Sequence, residues 1–559
     1  MPTFAAIDIG SNSCRLKIAK VVAHQLKTLH EDREVTRLGT GVFECGLVSP
    51  EAMMTTLQAL KRFQRAVQLH GVDQIRVVAT SAMRDARNGA VFQARVMEET
   101  GWKVEIISGL EEGRLIHLGV MGLSIAGNEP GAEPRTESGT SGCVLLIDLG
   151  GGSCEITLSE HKHILETISL PLGAVRLSEE FLPGDPAPIE GLARMRQFIA
   201  RELRVAHGKI QPENISLVIG TSGTAAALSA AITADANDSN GKSSKPLGKS
   251  AKKAASRAGI KIAAKDQDLA PDLTGLAALD AGIAPTREVC RLAAKLTPMT
   301  LAQRVAIEGI GPRRAEIIVA GALVFAELLE SFGLAGFHYS PLGLRDGILA
   351  QMLAEQDARA TAHREFELER WESVLATARR YGVDPQQAEP VRAHALQLYL
   401  ELQSLHELPP EYESWLGAAA ILRDTGKFIN HQGHHRHTQY IVSSSEIYGY
   451  TAVQRTVVSA IARYLGKSRP QPGDRALRNI PFDEHEHVHR AVVLLRLAVA
   501  LNQDRASDVL RVAAKVYPKR VYLEVQPGRT GAELELWSLR KEADYFFEVF
   551  GRELFCTLA

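Results

Sequence analysis

Hydrophobic and polar positions alternate along this chain in two registers. Up to about Leu353, short apolar runs ending in glycine or polar residues are interleaved with stretches of helical period. Runs of four to eight β-branched and aliphatic residues bounded by turn formers predict strands. They fall at Phe4 onward, continuing to Val21 as a hairpin meander, then at Gln74–Ala79, Val104–Ile107, Val144 onward, Ile164–Leu170, Ser216–Ile219 and Phe337–Tyr339. Pro50–His70 carries Met53, Leu57, Leu60, Phe63 and Val67 on one helical face, a core stripe. Helices are also predicted over Ile189–His207, Ala320–Leu334 and Gly343–Leu353. From about Ala354 to Leu501 the period is almost wholly helical, and Val509–Phe555 alternates as a small β-rich cap would.

Two apolar runs end alike. Residues 144–157 read VLLIDLGGGSCEIT, and residues 4–16 read FAAIDIGSNSCRL. In each, a strand ends in an aspartate, then glycine and small polar residues follow. Gly150, Gly151 and Gly152 let the backbone turn tightly and approach a ligand, forming an anion cradle. Asp148 stands at a strand end, where it can hold Mg²⁺ directly or through water, and Glu155 returns a second carboxylate. The other copy offers Asp8, Gly10, Ser11, Asn12 and Ser13. Such a repeat at domain spacing predicts two duplicated halves facing across a cleft, each with one phosphate loop and one carboxylate.

Composition narrows the class. A chain of 559 residues divides into three or four domains. A net charge of −1 gives no global attraction to nucleic acid or anionic lipid, so a polyanion site must be a local basic cleft. Six scattered cysteines without a C-x-x-C pair argue against disulfides or zinc and for a reducing cytoplasm. The N-terminus enters a strand without a leader-like segment, and no run of about 18 apolar residues predicts a membrane span.

Other motifs are less specific. In TSAMRDARN, Arg84 follows a strand end, where it can clamp phosphate or form a surface ion pair. In SGLEEGRL, Ser108 can cap a helix whose first turn holds Glu111 and Glu112. Acids there complement the helix dipole, or one orients or deprotonates a water. Gly220-Thr221-Ser222-Gly223-Thr224 opens a helix, as a phosphate or nucleotide site or a plain capped turn. Residues 126–142 read as a loose linker. Residues 235–265 read as a flexible insertion, with eight basic residues and no acidic one from Gly241 to Lys265. GKSSKPLGKS lacks the first glycine of a Walker loop, and EGIGPRRAEI mimics a helix-hairpin-helix motif that a capped helix start also explains. His431, His434, His435 and His437 are dense enough to suggest metal, and a further cluster, His485, His487 and His489, opens a helix.

Taken in order, the two loops, TSAMRDARN, ISGLEEGRL and GTSGT resemble the exopolyphosphatase / guanosine-pentaphosphatase family, within the actin–sugar kinase–chaperone ATPase superfamily. The resemblance spans about Phe4–Leu353, and the rest is similar to the longer members, which carry an HD-like domain. It implies an α/β fold of two actin-like (ribonuclease H-like) lobes, an all-α HD-like domain and a β-rich cap. The expected spans are 1–125, 126–353, 354–507 and 508–559. It further implies Mg²⁺-dependent hydrolysis of terminal phosphoanhydrides, of inorganic polyphosphate or of the 5′ γ-phosphate of guanosine pentaphosphate (pppGpp). Glu112 matches the essential glutamate and Arg84 the arginine on the scissile phosphate. Asp8, Asp148 and Glu155 match metal-binding acids. Gly10, Ser11, Asn12, Ser13, Gly150, Gly151, Gly152, Ser153 and Gly220 to Thr224 match phosphate-contacting loops. A homodimer is implied on the same ground.

The sequence also departs from the family. Cys14 and Cys154 stand where an aromatic and a threonine are frequent. In the HD-like region the His-Asp pair reads Arg423-Asp424, the first histidine is Gln387 and the last aspartate Asn502. With those ligands replaced, no catalytic metal is expected there. The remaining histidines with Arg423, Arg436 and Arg455 can line a basic groove for a long anion. The leading expectation is an exopolyphosphatase, with a pppGpp 5′-phosphohydrolase as alternative. A nucleotide-dependent kinase or ATPase, and a silent polyphosphate or alarmone sensor, are the other classes weighed.

Overall fold

The computed structural model describes residues 2–122, 142–160, 163–210, 215–241, 282–357, 361–466, 468–504, 509–528 and 531–559. The expected linker therefore lies outside the described residues except for Gly142, as does the basic insertion beyond Gly241. Two compact units are present, Met1–Arg364 and Glu365–Ala559.

The first unit holds two sheets of related topology. In one, β1 (Thr3–Ile9), β2 (Cys14–Val22), β3 (Gln25–Glu34), β4 (Gln74–Ala79) and β5 (Val104–Ile106) lie in the order β3-β2-β1-β4-β5. The first three strands form an antiparallel meander, and β4 joins β1 in parallel. The other sheet repeats this with β6 (Cys143–Leu149), β7 (Cys154–Glu160) and β8 (His163–Leu170), followed in parallel by β9 (Ile215–Thr221). With β10 (Ile283–Pro285) and β11 (Gly336–Tyr339) its order is β10-β11-β9-β6-β7-β8. This is the paired α/β arrangement the resemblance implies. Residues 25–34, where the pattern predicts no strand, form an edge strand paired along β2. A one-sided edge strand needs little apolar content, so its polar composition hid it.

Alternation along β1 serves two cores. Ala5, Ile7 and Ile9 face α2 (Pro50–Leu69, after the one-turn α1, Val42–Cys45), whose Met53, Leu57, Leu60 and Phe63 are buried there as predicted. Phe4 and Ala6 face the opposite side. Between β4 and β5 lie α3 (Ser81–Asp85) and α4 (Gly89–Thr100), and α5 (Gly109–His117) follows β5. The second sheet is flanked by α6 (Ala174–Phe181), α7 (Ile189–His207), α8 (Ser222–Gly241), α9 (Thr286–Leu296), α10 (Leu301–Val305) and α11 (Ile318–Ser331). The next helix, α12 (Leu344–Gln356), begins within the expected 126–353 span. It packs on the first sheet instead: Ile348, Leu349, Met352 and Leu353 meet Phe4 and Ala6. An ion triad secures it, with buried Lys17 Nζ 2.7 Å from buried Asp346 and 2.8 Å from exposed Glu31.

Helix α5 is wedged inside this unit. Its Leu115 joins the core of the first sheet, whereas Ile116 joins Leu146 and Ile219 of the second. Every residue from Glu111 to His117 is buried. Arg114, fully buried, donates through Nε and Nη2 to Glu111 at 2.9 Å each, and Nη2 also reaches Gln351. The crossing with α12 is too close for side chains: a methyl on Gly347 would sit 1.7 Å from the Leu115 carbonyl oxygen.

The second unit is mainly helical, with helices at Pro385–Glu401, Glu411–Leu422, His434–Ser444, Ala452–Arg463 and Glu484–Ala500. Its C-terminal segment forms a three-stranded sheet, β12 (Val512–Val516), β13 (Arg520–Val525) and β14 (Glu553–Leu558). Helices Glu533–Lys541 and Ala543–Phe550, which the alternation did not announce, separate β13 from β14. One hydrophobic core joins the helices to this sheet. Within it His394 is buried, and its Nε2 accepts a hydrogen bond from the Leu510 N–H at 2.9 Å. Among the described residues, no helix is long and apolar enough to cross a membrane.

Two outcomes follow from this packing. Gly347→Ala forces α12 away from α5 and should cost at least about 2–3 kcal/mol, at the upper end of ordinary overpacking; urea unfolding monitored in the first unit measures it, and an unchanged midpoint would contradict the crossing. Burial lowers the His394 pKa from 6.5 to about 4. Between those values the unfolded chain binds the proton and the folded chain does not. The resulting stability is full above about pH 6.5 and is lost as pH falls toward about 4, at about 1.4 kcal/mol per pKa unit. His394→Gln, which keeps an acceptor, should make the acid-side loss of stability shallower by about one proton; an unaltered slope would exclude His394 as its source.

Candidate active site

The two aspartate–glycine loops superpose in their bonding. The Gly10 N–H donates to the Ser13 carbonyl at 3.2 Å, and the Gly150 N–H to that of Ser153 at 3.0 Å. Asp8 lies opposite Arg15 in the β1–β2 ladder, and Asp148 lies opposite Glu155 in the β6–β7 ladder. Equivalent positions thus carry opposite charges. Cys14 and Cys154 occupy the same inward register and are fully buried.

The glycines do more than admit a ligand. A methyl on Gly152 would lie 2.4 Å from Ser81 Oγ and 2.6 Å from the Phe43 ring, and one on Gly151 3.1 Å from Ser11 Cβ. They let the second loop press against the first sheet's loop and α3. Behind the loop, N–H groups at the start of α6 take its carbonyls: Ala174 donates to Gly150 at 3.0 Å and Val175 to Gly151 at 2.8 Å.

A cleft of about 350 Å³ opens between the loops. At one end stand carboxylates. Glu112, Asp148 and Glu155 each offer an oxygen within 4.8 Å of the others, the one such ligand group among the described residues. Glu112 and Asp148 line the cleft, as does Asp8, which falls outside that group of three; Glu155 and Arg84 stand just behind the lining residues. Glu112 reaches the site because Ser108 caps α5, its Oγ accepting from the Glu111 N–H at 3.1 Å. Arg84 Nη1 donates to Glu112 Oε2 at 2.8 Å and to the Ile107 carbonyl at 3.0 Å, while Nη2 reaches Ser153 Oγ at 3.3 Å. Ser169 Oγ donates to Glu155 Oε1 at 2.8 Å, and Thr221 Oγ1 donates to Asp148 Oδ1.

These acids are held against their ordinary chemistry. Burial raises Glu112 despite Arg84 beside it. Burial, then Glu112, pushes Glu155 well up. Burial also raises Asp148, against the Thr221 hydrogen bond, and Asp8, against Arg15 and Arg345. Buried Asp8 Oδ1 and Glu155 Oε2 have no protein partner. An all-oxygen set with unpaired buried oxygens and surplus negative charge fits a hard divalent cation.

The cleft is also lined by four basic residues, Arg15, Arg33, Arg314 and Arg345. Burial, then Arg15, lowers Arg33 to about 10 and Arg314 to about 9. Arg33 Nε and Nη2 are buried without a partner. Crowded guanidinium groups of this kind are relieved by a multiply charged anion. None of these four was singled out from the sequence. Arg15 had a signal, since it repeats the position of Glu155. Arg314 lay in EGIGPRRAEI, and Gly223 makes its room: a methyl there would be 1.8 Å from Arg314 Nη2.

The GTSGT run divides. Ser222 and Gly223 line the cleft, and Ser222 adopts a left-handed φ of 75° while its Oγ donates to the Leu149 carbonyl at 2.7 Å. Gly220 instead abuts Phe337, Thr224 abuts Gly321, and buried Thr221 meets the cleft only through Asp148. These three serve packing and orientation, because strand β9 and the first turn of α8 turn them inward. Gly10 through Ser13 and Gly150 through Ser153 all line the cleft.

In the second unit, His434 Nε2 lies 3.8 Å from Asp424 Oδ1 and its ring packs against that of His435 at a tilt of 47°. His485 and His487 engage carbonyls and Glu484 respectively. Two of the three arginines expected along a groove are occupied locally, Arg423 Nη1 by the Ala420 carbonyl and Arg455 Nη1 by that of Tyr450.

Residues 17–356 match the Ppx/GppA phosphatase family, and residues 370–543 match domain III of Ppx/GppA phosphatases. The chain belongs to this family and is a phosphoanhydride hydrolase. Among solved structures it is similar to an exopolyphosphatase from Cytophaga hutchinsonii, at 24% identity and a TM-score of 0.50, covering 64% of this chain and 99% of that one. It is also similar to the Ppx/GppA family member of Aquifex aeolicus, at 27% identity and a TM-score of 0.46, covering 64% and 99%.

The carboxylate group predicts a measurable ion site. Millimolar Mg²⁺ should raise the melting temperature of the wild type and leave that of Asp148→Asn unmoved, as binding to the folded state alone requires. An equal rise in both proteins would place the ion elsewhere.

Proposed function

We propose that this phosphatase is a Mg²⁺-dependent exopolyphosphatase, releasing terminal orthophosphate from inorganic polyphosphate by attack of water. One observation carries the reading: a single cleft is lined both by carboxylates suited to a cation and by four arginines suited to a run of phosphates. A pppGpp 5′-phosphohydrolase would use the same acid corner. Four arginines on one cleft favour the polymer, which presents a longer run of phosphates than the 5′ end of pppGpp.

In this reading Asp148 and Glu155, with Asp8, would hold Mg²⁺, which neutralises charge on the scissile group when bound. Arg84 takes the terminal phosphate, since its side chain spans from Glu112 to Ser153 of the second loop. The two glycine loops cradle the same group from opposite sides. Glu112 orients the attacking water and accepts its proton. Its burial supports that role by making the carboxylate a stronger base than an exposed one. Arg15, Arg33, Arg314 and Arg345 hold the phosphates that follow. The reading includes a cytoplasmic homodimer; six free cysteines agree with a reducing location, and sedimentation tests the assembly.

Glu112→Gln should lower turnover by about 10²–10⁴-fold, the usual contribution of a general base, while polyphosphate still binds. Purified wild type and variant are compared with Mg²⁺ on long polyphosphate and on pppGpp. Faster wild-type turnover of pppGpp would reverse the substrate assignment, and near-normal turnover by Glu112→Gln would remove it from the chemistry.

A further inference from the structure

Arg176, the third residue of α6, belongs to none of the groups assigned so far. Its backbone N–H donates to the Gly151 carbonyl at 3.1 Å, and its Nε to the Gly152 carbonyl at 2.8 Å. Its Nη2 crosses to the first sheet's side, reaching Ser81 Oγ at 3.4 Å and Asp85 Oδ2 at 2.5 Å on α3. The guanidinium carbon lies 4.1 Å from the centroid of the Phe43 ring. One side chain therefore holds the second loop, both ends of α3 and the aromatic ring that fills the space beside Gly152.

Helix α3 also carries Arg84, which reaches Ser153 in the same loop from its other side. The loop is consequently pinned to α3 at neighbouring residues, Gly152 through Arg176 and Ser153 through Arg84. A guanidinium suits this task and an ammonium does not. Its planar fork donates to several acceptors while its face stacks on a ring. The packing of α6 does not depend on it, because Ala174, Val175, Leu177 and Phe181 are the residues that α6 buries.

We propose that Arg176 is a positioning residue: it sets the spacing between the second phosphate loop and the Arg84–Glu112 pair without touching the substrate. Misplacement of about 1 Å in such a constellation can cost on the order of 10²-fold in rate. The effect on turnover rests on the exopolyphosphatase reading; the effect on loop order does not.

The test uses the full chain with Arg176→Gln, Arg176→Lys and Asp85→Asn. Turnover on long polyphosphate with Mg²⁺ is measured alongside deuterium exchange of residues 148–155 and 80–86. Arg176→Gln should lower kcat by about 10-fold or more with KM within about 3-fold, and should speed exchange in both segments without moving the melting temperature by more than a few degrees. Arg176→Lys should recover only part of the loss, and Asp85→Asn should show a smaller loss of the same kind. A loss confined to KM, or unchanged exchange in both segments, overturns the proposal. If Arg176→Gln does not fold, Asp85→Asn, which removes only the charge of the Asp85 anchor at the end of α3, decides by the same two readouts. A wild type inactive on every phosphoanhydride defeats the functional reading, and exchange in the variants then decides the clamp alone.

Discussion

The structure of the first unit turns on the burial of α5. Helices usually present one face to a core; this one meets two sheets and α12 at once, and even its charged residues are enclosed. Such burial requires internal partners for each charge. Arg114 and Glu111 answer one another, with Gln351 completing the set, and that leaves Glu112 turned to Arg84. Glycines make the enclosure possible, at Gly347 against Leu115 and at Gly113 against Thr157 and Thr167. The raised affinity of Glu112 for a proton is a by-product of this packing.

The second constraint is contact between the two loops. A ligand-binding glycine loop is ordinarily pictured as open backbone. Here Gly151 and Gly152 are closely approached by Ser11, Ser81 and Phe43 before any ligand is considered. The halves of the cleft are therefore not independent cradles. Their spacing is set by direct packing, with α6 holding one loop from behind through its first N–H groups.

Much of this was legible in the sequence because duplication writes its signal twice. Strand, aspartate, glycine and serine recur, and the recurrence located both loops, the acids and the sheets behind them. What stayed hidden depended on contacts distant in sequence. The polar edge strand at Gln25–Glu34 has no buried face of its own to announce it. The partnership of α12 with the first sheet joins residues that only the folded chain brings together. Gly220 and Thr224 looked like ligand contacts because small residues at a helix start satisfy packing and binding alike. Arg314 was masked by a motif that resembled something else, and Arg15 by attention to the residues the repeats share.

The exchange of arginine for glutamate between the two repeats has a larger meaning. Had duplication been faithful, the gap between the halves would be a near-symmetric vessel, equally hospitable in both directions. One altered rung in each ladder, Arg15 against Glu155, gives it a head and a tail. The repeated scaffold thus sets a basic side chain beside one aspartate and an acidic side chain beside the other, so its two halves differ in character although their strands match.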